Sequence, residues 1–233
     1  MDHISQKDVA KNMKKFTTTP SSSAFTMLEL VFVIVALGII AAVAIPRIDR
    51  DLTQEAADTV LSNIRYTQHL ALVDYRHDFT DPKWQRAFWQ IRFESCADSS
   101  GLFLSIGSDK GYGGDIDKSE AATDPANGLP MFWKNTDACT HGGDATVSEN
   151  IFLTKKFGVK SVTGTGGCAG ISHIGFDHMG RPHTGFKNSS APNYSTYMRQ
   201  ACTFTFTMSS GETFAVTIQP ESGYVTINTQ SGS

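Results

Sequence analysis

Between Phe25 and Ile45 the sequence reads FTMLELVFVIVALGIIAAVAI, an apolar run in which only Thr26 and Glu29 are polar. As a helix rising about 1.5 Å per residue it spans about 31 Å, the hydrocarbon thickness of a bilayer. The residues ahead of it carry Lys7, Lys11, Lys14 and Lys15 against Asp2 and Asp8, then the polar stretch TTTPSSS from Thr17 to Ser23. A basic flank of this kind stays cytoplasmic, so the expectation is a retained membrane helix with the rest of the chain exported. A cleaved secretory signal also joins a basic to an apolar region. Its apolar part is shorter, however, and no A-x-A-like site precedes a polar mature terminus here.

Glu29 is the anomaly in the run. A carboxylate in hydrocarbon costs about 3 kcal/mol or more unless it finds a partner or lies near the interface. A cut just before Phe25 would supply that partner. The new α-amino group would lie one helical turn from Glu29, on the same helix or, after packing, on a neighbour.

The segment AFTMLELVFVIVALGIIAAVAIP, Ala24 to Pro46, resembles the amino-terminal signature of type IV pilins and type II secretion pseudopilins. The resemblance implies a basic leader over residues 1–24, cut between Ala24 and Phe25 by a prepilin peptidase, and N-methylation of Phe25. It makes Glu29 the assembly glutamate and Pro46 the helix-bending proline, whose missing N–H removes one helical hydrogen bond. Ala24 departs from the glycine that the family nearly always has before the cut. The implied partners are the prepilin peptidase, other pilin or pseudopilin subunits, an inner-membrane assembly platform and membrane lipids. The implied location is the bacterial inner membrane, single-pass, with the C-terminal domain in the periplasm, and later a pseudopilus or pilus.

The implied fold is α+β and pilin-like: a long N-terminal helix, its first half transmembrane and its second half amphipathic, packed on a C-terminal antiparallel sheet. Its divisions are a transmembrane and assembly half over 25–46, an amphipathic half over 47–80 and a β-rich globular domain over 81–233. The residues support the second half independently. Ile48, Leu52, Ala56, Val60 and Ile64 recur every fourth residue, with Leu61, Leu70 and Ala71 beside the stripe.

Strands are expected at Phe88 to Glu94 and Leu102 to Ile106, then a long surface loop from Gly107 to about Glu149. Phe204, Phe206 and Met208 alternate with threonines, and Phe214, Val216 and Ile218 alternate with Ala215, Thr217 and Gln219. With a hairpin at SSGE, Ser209 to Glu212, and a turn at PESG before YVTIN, they predict a three-stranded meander. The segment FDHMGRP, Phe176 to Pro182, followed by this meander, resembles the H-type minor pseudopilins.

Cys96, Cys139, Cys168 and Cys202 are even in number, and none has C-x-x-C spacing, so two disulfides are expected. Of the three pairings, Cys96 with Cys139 and Cys168 with Cys202 is preferred, because each would pin an end of a long loop. No cofactor or metal is expected. Asp109, Asp115, Asp117 and Glu120 are of the type calcium prefers, but they lack EF-hand spacing and read as a solvated loop. His173, Asp177, His178 and His183 are ligand types at poor spacing, and read as surface or interstrand residues. TGTGGCAG, Thr163 to Gly170, reads as a tight loop.

No nucleophile elbow, Walker-type loop or HExxH occurs, so the chain is read as a structural subunit and not an enzyme. The net charge of −3 falls to −5 once the leader's four lysines and two aspartates are removed. That balance disfavours nucleic acid, and Lys155, Lys156 and Lys160 read as a solvated cluster. The alternatives are a membrane-anchored periplasmic binding module outside any filament, or a minor pilin in DNA uptake.

Overall fold

The computed structural model describes residues 26–97, 99–139 and 144–229, so the leader and Phe25 lie outside the described residues. The side chains of residues 42–51 lie outside them too, and with them the orientation of Ile48 and Pro46. Helix α1 runs Met27–Val73, and the chain divides inside it into two compact units, one ending at Ala44 and one beginning at Ile45.

The first unit is helical from Met27, and its apolar side chains are exposed on every side. Its start is set locally. The backbone N–H of Glu29 donates to Thr26 Oγ1 at 3.3 Å, satisfying one of the donors that a helix N-terminus leaves free. Among the described residues no helix is long and apolar enough to cross a membrane. This corrects the expected single-pass inner-membrane placement. The apolar run carries Glu29 and gives way directly to Arg47, Asp49, Arg50 and Asp51.

In the second unit α1 contributes Ala56, Ala57, Val60, Ile64 and Ala71 to the buried core, with Leu61 and Leu70 packed partly against it. The remainder is mostly β. Strands β1 (Trp89–Ser95), β2 (Leu102–Ser108), β4 (His173–Phe176) and β5 (Pro182–His183) form one antiparallel sheet in the order β2-β1-β4-β5. Strands β3 (Val159–Gly166), β6 (Cys202–Met208), β7 (Thr213–Ile218) and β8 (Val225–Thr229) form a second, in sequence order. The expected pilin-like α+β arrangement, one long helix over one C-terminal sheet, is therefore overturned by two four-stranded sheets in a mainly β body.

The physical reason lies in segments that read as loops. The stretch TGTGGCAG begins as strand: Val162 to Gly166 pair with β6 in continuous register, and only residues 167–170 turn. The FDHMGRP segment supplies the end of β4, a turn and the start of β5, which close the first sheet on β1. The apolar faces of the two sheets meet in the core, where Phe93 of β1 lies edge-on to Phe204 at 5.1 Å and Phe206 at 5.2 Å. A short helix α2, Leu153–Phe157, stops at Gly158, whose φ of 75° lets its N–H reach the carbonyls of Leu153 and Thr154.

The stretch expected as a long surface loop is packed instead. Ile116, Ala122, Met131, Phe132 and Val147 are buried within it. Ile116 and Phe132 lie over the outer face of the first sheet, whereas Ala122, Met131 and Val147 join the main core with the α1 stripe, and β1 and β2 are accordingly buried along nearly their whole length and do not alternate.

The expected disulfides are present, joining Cys96 to Cys139 and Cys168 to Cys202. The first ties the end of β1 to the covering loop. The second ties the turn after β3 to the first residue of β6.

Candidate functional site

The candidate site for assembly is the helical segment from Met27 to Ala41. Met27 is 87% exposed, Phe32 69% and Ile40 64%, and Leu28, Leu30, Ile34, Leu37 and Ile39 are exposed as well. Adjacent turns place such residues all round the axis and not along one stripe, so no single face could be covered by one neighbour. Glu29 sits in the first turn, where a carboxylate faces the positive end of the helix dipole. Thr26 and Glu29 stand at the spacing of a capping box, a second reason for a carboxylate here that sequence reading overlooked. Ala24 and Phe25, the two residues of the expected cleavage, lie outside the described residues.

The acidic residues nominated for calcium do not converge. Asp109 accepts from the N–H groups of Gly113 and Gly114 at 2.9 and 2.8 Å. Glu120 accepts from Gly111 and Asp117 at 2.6 and 2.9 Å. Asp115 pairs with Lys187 at 2.6 Å and with Arg92 at 3.0 Å, contacts that hold its carboxyl below the usual range. Each carboxylate thus organises its own turn or ion pair. Among the described residues no group of three or more His, Cys, Asp or Glu could hold a metal.

The histidines also separate. His173 of β4 stands directly opposite Arg92 of β1, and burial, with Arg92 and Lys187 nearby, pulls its pKa down to about 4. His178 packs against Tyr75 and His77 at 4.8 and 5.5 Å between ring centres. His183 lies between Thr196, 3.0 Å from Nδ1, and Asp177, 3.3 Å from Nε2. This order of hydroxyl, imidazole and carboxylate superficially matches a nucleophilic triad. All three residues are buried, however, and the Thr196 hydroxyl donates to the Asn193 carbonyl at 2.8 Å. Burial opposes ionisation of Asp177, but hydrogen bonds from His183, from the Arg181 side chain and from the N–H groups of Arg181 and Met179 outweigh it and hold its pKa far below normal. The network fixes the turn between β4 and β5.

Of the small basic cluster, Lys155 and Lys156 lie on α2 and Lys160 on β3. Lys156 is engaged by the Asn150 side chain and stands over the Phe157 ring at 5.5 Å.

No family model matches the chain, and no curated protein or solved structure matches it. The resemblance to pilins and pseudopilins is thus carried by its motif residues alone.

Proposed function

We propose that the chain is a structural subunit of a type II secretion pseudopilus or a type IV pilus. A prepilin peptidase cuts it between Ala24 and Phe25, and it assembles through the helix that begins at Met27. One observation carries this reading: an apolar helical segment exposed on all sides, from Met27 to Ile40. Burying such surface against like helices contributes about 25 cal/mol per Å². A bundle of copies covers every side of the helix, as one neighbour cannot.

Glu29 supplies register. In a dry helical bundle an unpaired carboxylate is costly, so insertion is favoured only where the Phe25 amine of an adjacent subunit meets it. The two disulfides fit assembly in an oxidising compartment. The partners on this reading are the peptidase, further subunits of the same kind and the platform that adds them.

The test is intact mass spectrometry of the chain co-expressed with a prepilin peptidase, together with incorporation of Glu29→Val. A chain beginning at N-methylated Phe25, and a variant that is cut but not incorporated, are expected. An uncut chain beginning at Met1, or normal incorporation of the variant, would contradict the proposal.

A further inference from the structure

Beside the covering loop runs an open groove that starts on the outer face of the first sheet and ends at β3. Three adjoining depressions of about 520, 200 and 410 Å³ share walls along the segment from Phe132 to Asn135. The middle one is floored by Arg92 and Glu94 of β1 and Ser105 of β2, with Trp133 in its wall. Alone it is smaller than the roughly 300–1,000 Å³ of a compact ligand site. In a row, the three suit an extended ligand.

Its polar groups are unevenly satisfied. Arg92 donates to Gln90 at 2.9 Å, to Asp115 at 3.0 Å and to the Gly114 carbonyl at 3.1 Å, and is fixed in place. Ser105 stands directly opposite Arg92 in the β1–β2 register and is 2% exposed, yet its hydroxyl has no partner among the described residues. The indole N–H of Trp133 is likewise buried and unpartnered. Orphaned groups of this kind are uncommon in folded proteins, and an acceptor or donor oxygen at each would satisfy it.

Charge decides the ligand's class. Arg92 and Lys134 share the lining of the middle depression with Glu94, Asp115 and Asp117, and the flanks mix Lys118 and Lys160 with Asp137 and Asp144. Such a lining disfavours a polyanion and a polycation alike. It matches a neutral chain of hydroxyls, each of which donates and accepts, with an apolar ring face to set against an indole.

We propose that this groove binds a neutral oligosaccharide, one sugar ring seated against Trp133 with its hydroxyls bonded by Ser105, the indole N–H and Glu94. The test is saturation-transfer NMR on the full chain in sugar-free zwitterionic micelles, with maltotetraose and chitotetraose as probes and tetra-alanine as the competitor class. Transfer to at least one saccharide is expected, weakened tenfold or more by Ser105→Ala and by Glu94→Gln. Because the Ser105 hydroxyl has no partner among the described residues, Ser105→Ala should leave the melting temperature unchanged or raised. Should that variant not fold, Glu94→Gln carries the comparison. Three results would overturn the proposal: no transfer to either saccharide, transfer unchanged in Glu94→Gln, or transfer to tetra-alanine alone.

Discussion

Gly107 and Gly175 both face Gln90 in register, one on each neighbouring strand, and each is where a covering side chain settles onto the sheet. A Cβ on Gly175 would stand 2.4 Å from the Phe186 ring, and one on Gly107 would stand 2.5 Å from Ile116. Phe186 is fully buried and cannot swing away. Gly175→Ala is therefore expected to destabilise the fold by about 1–3 kcal/mol, read as a lower urea midpoint at unchanged m value. Adding Phe186→Ala should recover part of the loss if the clash is the cause. His173 gives a second test on the same face. It is neutral when folded, whereas the unfolded chain takes up a proton near pH 6.5. Its contribution is thus fully present above pH 6.5 and is lost as pH falls toward about 4. With about 1.4 kcal/mol per pH unit the whole effect is about 3 kcal/mol at most. Burial raises the pKa of Glu94, which acts with the opposite sign, so the quantity to read is the stability difference between wild type and His173→Gln across that window. Neither glycine contact was legible in the sequence, because each joins residues brought together only by strand pairing.

At the scale of elements, legibility followed local pattern. The alternation of Phe204, Phe206 and Met208 with threonines is the buried and half-buried alternation of β6, and the spacing of Ala56, Val60 and Ile64 is the buried stripe of α1. The segments that failed were those whose order comes from partners distant in sequence. Strand β3 is rich in glycine and largely exposed, and pairing with β6 is what makes it a strand. The acidic loop after β2 carries few apolar residues, but Ile116 and Phe132 cover a sheet face whose polarity, Gln90 and Arg92, gave no sign of burial, and Ala122, Met131 and Val147 enter the main core. The disulfides belong to this scale too. Cys168–Cys202 closes a separation of 34 residues, and its removal in the Cys168→Ser, Cys202→Ser double variant should cost about 4 kcal/mol in the chain-entropy view. Equilibrium unfolding of the double variant measures this, and a loss below about 1 kcal/mol would mean that the β3–β6 pairing holds the turn unaided.

For the whole molecule, the division between Ala44 and Ile45 separates a helix whose described apolar side chains are exposed from a body with a buried core. Sequence marked that division through the end of the apolar run and the charges after Pro46. It marked the meander of β6, β7 and β8 and the strands β1 and β2, but not that these belong to two separate sheets, because β3, β4 and β5, which complete them, are short or rich in glycine and are made strands by partners distant in sequence. On the proposed function the exposed helix is a surface for other subunits. The most direct test places a photo-crosslinking benzoylphenylalanine at position 32, in cells that also make the peptidase and the assembly machinery. Illumination should join the chain, through that position, to a second copy or to another subunit of the same kind, and Glu29→Val should abolish the adduct. A cleaved chain that gives no adduct from position 32 would contradict the account.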